Sequence, residues 1–472
     1  LNKKQIFVPL FINLNKGLKT FFYYIIKMDK IKEETMIAVC GPVDAGKSSL
    51  IGVLTSGELD DGRGDARCKI LRHPHERESG RTSNISLNPI IYKTRNDRIY
   101  LSNLINNYER KVEMGIREED LNNHKTDEKV ISLIDLAGHE KYLKTTVYGV
   151  TGLFPDYGIV VIGANTGITK LTREHLGILL YLKIPIIIVI TKIDMAPREI
   201  YQKLCNKIKK LLKKKTFGKV LYFISDSKKK YEETNHYIDN MLGNPDVIPI
   251  ISLSNKDGTN IDNMHKLLYC LPSRKKWNTE TINGGLMYID NTYMVPGIGL
   301  VLSGTTKGKN INVKDKMYIG PENGEFREVI IRSIHNSTRE NINELSKNVQ
   351  GCVAIKFINQ KRTLDRNQIK KGMVLIDNVE NWKDNVVRNF TAKITILHHS
   401  TTIRSGYSPL IHCGPIRQSA IIDVNEEKLL RSGDTCIAKF RFKYNSEFLE
   451  KNMIFFFRDG NTKGVGEVLS LN

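Results

Sequence analysis

Eight consecutive residues, Gly41-Pro42-Val43-Asp44-Ala45-Gly46-Lys47-Ser48, set two glycines, a lysine and a hydroxyl in the spacing G-x-x-x-x-G-K-S. That spacing suits phosphate. Glycines let successive backbone N–H groups curl around an anion, the lysine reaches its oxygens, and the serine hydroxyl can ligate Mg2+. The flanks separate this chemistry from an ordinary glycine turn. Met36-Ile37-Ala38-Val39-Cys40 reads as a buried strand, and Ser49-Leu50-Ile51-Gly52-Val53-Leu54 as a helix whose N-terminus adds positive potential. Gly41 to Ser49 therefore form the phosphate-binding set.

Three further strand ends define the rest of the ligand. Val130-Ile131-Ser132-Leu133-Ile134 runs into Asp135-Leu136-Ala137-Gly138. An aspartate there can hold the hydration shell of Mg2+, and the glycine lets its N–H approach a terminal phosphate, so the turn senses that phosphate. Ile186 to Ile190 ends in Thr191-Lys192-Ile193-Asp194. The Asp194 carboxylate can accept from N1–H and the 2-amino group of guanine, whereas adenine would leave it unpaired. A fourth apolar run, Val247 to Leu253, leads into Ser254-Asn255-Lys256, where a backbone N–H can meet guanine O6. A single D-x-x-G or K-x-D carries almost no information. Four motifs in this order, each closing a strand, specify GTP.

On these residues the chain resembles the elongation-factor-type translational GTPases, and most closely the branch of GTP-binding proteins 1 and 2, relatives of elongation factor 1-alpha. Besides Gly41 to Ser48, the stretches Thr55 to Gly64, Glu78 to Ser83 and Asp135 to Thr146 carry the likeness, which runs from about Met36 to the last residues. The resemblance implies GTP/GDP and Mg2+ as ligands, with Ser48 and Thr82 on the metal and Asp135 reaching it through water. It implies His139 as the residue that positions the attacking water, with Lys47 and Thr82 completing the catalytic set. Asp44 matches the residue that helps hold a monovalent cation. One departure is Thr191, where most GTPases carry an asparagine that braces the phosphate loop. Another is Thr94 to Lys129, longer and more polar than in elongation factor Tu and read as a surface insertion between two strands.

The positioning elements follow. The expected fold is an α/β P-loop GTPase domain, a mixed and mostly parallel sheet with helices on both faces, followed by two antiparallel β-barrel domains. Residues 1–33 read as an N-terminal extension, 34–272 as the GTPase domain, 285–378 as the first barrel and 388–472 as the second. Beyond the polar stretch Pro272 to Gly285, helix-period segments give way to short alternating strands with turn residues. Pro296-Gly297 turns the chain between two strands, and Lys371 to Leu375 resembles a closing strand. Phe455 to Gly466 resembles the last hairpin of the third domain of elongation factor 1-alpha, whose arginine and glycines pack against the GTPase domain. No winged-helix extension follows that hairpin, unlike in selenocysteine-specific factors.

The 472 residues carry a net charge of +21, which points to a polyanionic partner. Lysine and arginine cluster at Lys207 to Lys215, Lys228 to Lys230 and Arg274 to Lys276. Ribosome and tRNA, or another RNA, fit this excess best, with a protein cargo as a further partner and the chain itself a monomer. Seven dispersed cysteines without a C-x-x-C argue for a reducing, cytoplasmic setting and against a disulfide framework or a zinc site. His398, His399 and His412 read as satisfied strand histidines. The apolar stretch Leu10 to Ile26 is interrupted by Asn13, Asn15, Lys16, Lys19 and Thr20, so it does not span a bilayer. It reads either as a presequence or interfacial helix, or as residues upstream of a true start at Met28. Two rival functions stand beside the translational one: a GTPase accessory subunit of a sulfate-activating enzyme, and a binding module that uses GTP without hydrolysing it.

Overall fold

The computed structural model describes residues 33–71, 73–95, 98–102, 109–112, 128–213, 218–224, 246–273, 284–359, 366–424, 429–460 and 462–472. The N-terminal extension up to residue 32 and the clusters at Lys228 to Lys230 and Arg274 to Lys276 lie outside these.

Nine strands form the first sheet: β1 (Glu33–Cys40), β2 (Ser86–Arg95), β3 (Arg98–Ser102), β4 (Glu109–Val112), β5 (Glu128–Asp135), β6 (Tyr157–Gly163), β7 (Ile186–Thr191), β8 (Val220–Ile224) and β9 (Val247–Ser252). Their order is β4-β3-β2-β5-β1-β6-β7-β9-β8. The pairs from β5 to β8 are parallel, while β2, β3 and β4 run antiparallel. Helices cover both faces, which is why the central strands are apolar throughout rather than alternating; every residue of β6 and β7 is buried. Along β1, Ile37 and Val39 join a core with Leu50 of α1 (Lys47–Ser56). Ala38 and Cys40 face the other core, with Leu143 and Val147 of α4 (Leu143–Gly152), Leu176 of α5 (Lys170–Tyr181) and Leu204 of α6 (Arg198–Leu212). Between α1 and α4 lie the short helices α2 (Asp65–Cys68) and α3 (Pro74–Ser79). A last helix, α7 (Ile261–Cys270), covers the face of Ile37 and Val39.

The segment from Thr94 to Lys129 is inserted between the paired strands β2 and β5. Its described residues include β3 and β4, which widen the sheet beyond β2. Leu101 anchors them: it is buried in the same core as Ile90 and Tyr92.

The first barrel comprises β10 (Gly285–Val295), β11 (Gly299–Gly308), β12 (Lys316–Glu322), β13 (Glu325–Asn336), β14 (Gln350–Phe357) and β15 (Val374–Ile376), closed by pairing of β12 with β13. The second is the closed ring β16 (Asn389–His398), β19 (Thr435–Phe442), β18 (Ile416–Asp423), β17 (Leu410–Cys413), β20 (Ile454–Asp459), β21 (Thr462–Leu471), in that spatial order. Closure removes edge strands that would otherwise template aggregation. Phenyl rings fill the second barrel, with Phe390 stacked on Phe440 at 5.0 Å.

The last hairpin corrects one expectation. Gly464 and Gly466 do not face the GTPase domain. A Cβ at either would stand 2.0 Å from the Phe457 ring or 2.3 Å from the Phe455 ring, so these glycines make room for rings of the barrel's own core. Contact with the GTPase domain comes instead from Phe456, which enters its core, and from Lys463, paired with Glu174 at 2.6 Å. The first barrel docks through Tyr148 Oη, which donates to the Asp290 carbonyl at 2.8 Å, and through Gln350 N–H, which donates to Glu34 Oε2 at 3.2 Å. His412 also departs from expectation. It is fully buried and neither ring nitrogen has a hydrogen-bond partner among the described residues. Burial, reinforced by Arg417, Arg458 and Lys144, pushes its pKa down to about 3, so the ring stays neutral.

Candidate nucleotide-binding site

All four motifs open at the carboxyl edge of the parallel strands, where loops of open α/β sheets converge. The phosphate loop leaves β1 through residues with left-handed or otherwise glycine-favouring backbone: Gly41 at φ 151°, Asp44 at 59° and Gly46 at 86°. Gly41 has no alternative, because a Cβ there would lie 2.5 Å from the Val161 carbonyl oxygen.

Ser48, Thr82 and Asp135 converge although they come from α1, from the loop before β2 and from the end of β5. Ser48 Oγ and Thr82 Oγ1 each donate to Asp135 Oδ2, at 3.0 and 2.9 Å, and lie 2.9 Å from one another. Asp135 Oδ1 is buried and lacks a partner among the described residues. Burial raises the Asp135 pKa, opposed mainly by Lys47 and then by the two hydroxyls. Two hydroxyls and a carboxylate that keeps one oxygen unpartnered are an oxygen donor set that fits a hard divalent cation.

Lys47 is buried, its Nζ donates to the Pro42 carbonyl at 2.9 Å, and desolvation lowers its pKa against the pull of Asp135. Gly138 sits directly over it. A Cβ at Gly138 would lie 2.3 Å from Lys47 Nζ and 2.8 Å from the Gly41 carbonyl oxygen, so only glycine brings the D-x-x-G turn onto the phosphate loop. His139 is exposed and lines a cavity at the phosphate loop together with Lys47 and Gly138, with Nδ1 accepting from Lys141 N–H at 3.1 Å. Pro42, Val43 and Ala45 form the body of the loop; Val43, Asp44, Gly46 and Ser49 line the cavity.

On the base side, Thr191 Oγ1 donates to the Ala45 carbonyl at 2.6 Å. The shorter side chain thus still braces the phosphate loop. Lys192 lines the phosphate cavity, while Asp194 is exposed on a neighbouring one with Tyr201, Ser252 and Asn260. Ser254 Oγ accepts from Lys256 N–H at 3.2 Å and Asp257 N–H at 3.3 Å, which shapes the turn carrying Asn255 and Lys256.

Two supporting residues escape the motifs. His175 on α5 is buried and its Nδ1 accepts the Gly41 N–H at 3.1 Å. Burial, aided by Lys47, lowers its pKa to about 3 and keeps it a neutral acceptor. Glu76 on α3 gathers Ser83 N–H at 2.8 Å, Ser83 Oγ at 2.8 Å and Asn84 N–H at 3.1 Å, which fixes the loop carrying Thr82. Burial works to raise its pKa, but these bonds prevail and hold the carboxyl below its usual range. A lone histidine on an apolar helix face and a glutamate in a charged run give no spacing signal.

A P-loop fold with converging Ser48, Thr82 and Asp135 oxygens, a D-x-x-G turn packed on the phosphate loop and two trailing barrels is the architecture of a nucleotide-binding protein of the translation-factor type. A model of the elongation factor Tu GTP binding domain matches residues 15–274. The chain is 38% identical over 443 residues to GTP-binding protein 1 of Xenopus laevis, covering 93% of this chain and 63% of that protein. It is 34% identical over 442 residues to GTP-binding protein 2 of Homo sapiens, covering 92% of this chain and 68% of that one. The solved structure of translation elongation factor SelB from Methanococcus maripaludis, in complex with the GTP analogue GPPNHP, superposes with a TM-score of 0.61 at 18% identity, over 94% of this chain and 80% of that one. That likeness shows the fold alone. The chain belongs to the elongation-factor-type family of GTP-binding proteins, and it spans about two thirds of the length of the relatives named GTP-binding protein 1 and 2.

Proposed function

We propose that the chain is a GTP-hydrolysing switch that acts with the ribosome and with tRNA or a ribosome-associated partner. The observation that carries this reading is the Ser48–Thr82–Asp135 cluster. Ser48 belongs to the fixed phosphate loop, but Thr82 comes from a loop that can be ordered or released. A metal held by both would couple that loop to the γ-phosphate.

The site residues fit GTP with Mg2+, which would neutralise charge on the phosphates when bound. Lys47 would contact the phosphate oxygens and Gly138 N–H the γ-phosphate. His139 would orient the attacking water, and exposed Asp44 would help hold a monovalent cation. Asp194 would read the guanine edge, with Lys192 alongside the base and a backbone N–H of Ser254 to Lys256 on O6. Release of the Thr82 loop after hydrolysis would loosen the barrels. The net charge of +21 supports an RNA partner, recognised chiefly through phosphate contacts. Among the described residues no helix is long and apolar enough to cross a membrane. The non-hydrolysing reading gains no support from the site, which keeps Lys47, Ser48, Thr82, Asp135 and His139 together, and the stretches Glu58 to Gly64 and Asp135 to Thr146 favour the translational branch over an accessory subunit.

The test is co-sedimentation with ribosomes and tRNA at physiological salt, comparing a non-hydrolysable GTP analogue with GDP. A switch requires tighter binding in the analogue state by at least about fivefold, the lower end of ordinary coupling free energies. Equal binding in the two states reduces the RNA contact to charge alone and refutes the switch.

A further inference from the structure

The phosphate cavity carries more positive charge than the motifs account for: Lys47 and Lys192 are joined by Arg63, Arg67 and Arg81, against the carboxylates of Asp44 and Asp60. Arg67 stands out among them. Its Nε is buried and meets no hydrogen-bond acceptor among the described residues. The neighbouring acids are committed elsewhere. Asp60 Oδ1 accepts from Ala66 N–H at 3.0 Å, and Asp61 Oδ1 gathers the N–H groups of Arg63, Gly64 and Asp65 at 2.7, 2.9 and 3.2 Å.

Its setting is built around the side chain. Gly64 and Gly80 flank the guanidinium; a Cβ at Gly64 would lie 2.5 Å from Arg67 Nε, and one at Gly80 would lie 2.7 Å from Nη2. Gly52 of α1 lets α2 approach so closely that a Cβ there would stand 2.0 Å from the Ala66 carbonyl oxygen. The Glu58-to-Arg67 stretch is also tied to the base-side turn, because Asp60 N–H donates to the Asn255 carbonyl at 2.8 Å. Arg67 itself is half-buried, and with its inner Nε unpaired the guanidinium keeps hydrogen-bonding capacity for an anion; a site that fixes it beside a phosphate loop meets that anion when the ligand binds.

We propose that Arg67 is a resident catalytic arginine that contacts the β- and γ-phosphate oxygens of bound GTP. The inference rests on the reading of this site as GTP-hydrolysing. In that reaction the water oxygen bonds to the γ-phosphorus while the bond from that phosphorus to the β–γ bridging oxygen breaks. The bond pair stays on the GDP β-phosphate; one water proton remains on the released phosphate and the other leaves to solvent. The guanidinium stabilises the negative charge that gathers on the bridging and γ-oxygens as that bond breaks, which is the role arginines supply in other phosphoryl transfers.

The experiment compares the full chain with Arg67→Gln and Arg67→Lys, measuring single-turnover phosphate release from GTP with Mg2+, equilibrium affinity for GDP, and thermal melting. Arg67→Gln should slow release by about 10²-fold or more, since a transition-state arginine contributes about 10³ to 10⁵. GDP affinity should change by less than about tenfold, because the largest charge develops only in the transition state. Arg67→Lys should recover part of the rate while melting as the wild type does. An unchanged rate in Arg67→Gln beside an active wild type overturns this inference alone. So does a loss of rate matched by equal losses in GDP affinity and melting temperature in both variants, which marks Arg67 as a structural strut. Absence of turnover in the wild type removes the parent reading and this one with it.

Discussion

Replacing His175 by Gln should make the GTPase domain less sensitive to acid. His175 is 2% exposed and accepts the Gly41 N–H through Nδ1 at 3.1 Å, so it must be neutral to serve the phosphate loop. Its pKa is about 3 in the folded chain, against 6.5 when unfolded. A depressed pKa means that the unfolded state takes up the proton first. The stability it confers is therefore complete above pH 6.5 and is lost as pH falls through 6.5 toward 3. At pH 5 the chain is 1.5 units below the unfolded value, which at about 1.4 kcal/mol per unit is a loss of about 2 kcal/mol. Glutamine keeps an acceptor for Gly41 and does not titrate, whereas His175→Leu removes the acceptor and should cost about 1–3 kcal/mol at pH 7 for a buried, unpaired N–H. Urea unfolding at pH 7 and pH 5, followed by far-UV helix signal, isolates this domain, because every α-helix among the described residues belongs to it. The wild type should lose about 2 kcal/mol more than His175→Gln between the two pH values. Equal losses would refute the reasoning.

His139→Ala should leave GTP affinity nearly unchanged while slowing ribosome-stimulated phosphate release by about 10²-fold or more; an unchanged stimulated rate reassigns the water. Asp194→Asn exchanges an acceptor oxygen for a donor and should shift preference from guanine to xanthine nucleotides, measured by competition against a fluorescent nucleotide. Retained guanine preference would move base recognition to another residue. Thr191→Val keeps the shape but removes the 2.6 Å bond to Ala45. It should weaken nucleotide binding by about tenfold, corresponding to one buried hydrogen bond of about 1–1.5 kcal/mol, and titration calorimetry would read the change.

Much of the fold was legible because its signals are local. Apolar runs ending in Gly41, Asp135, Thr191 and Ser254 announced buried parallel strands, and the change to short alternating segments after Gly285 announced barrels. The misreadings came from contacts distant in sequence. The segment from Thr94 to Lys129 was legible as an insertion between two strands, but its polar residues hide that Leu101 enters the core. Gly464 and Gly466 read as docking points, but their lack of a side chain serves Phe457 and Phe455 across the hairpin. His412 read as satisfied because sequence cannot reveal that no acceptor or donor reaches it. At the site, motif residues are recognisable by spacing, whereas His175, Glu76 and Arg67 support them from elements with no spacing rule. Only tertiary packing brings His175 to the phosphate loop, Glu76 to the loop carrying Thr82 and Arg67 to the cavity between them.

The central claim is best tested by phosphate release from the purified chain supplied with Mg2+ and either GTP or ATP at equal concentration. Steady release from GTP and none above background from ATP is the predicted result. Equal release from both nucleotides, or firm GTP binding with no release even in the presence of ribosomes, would contradict it.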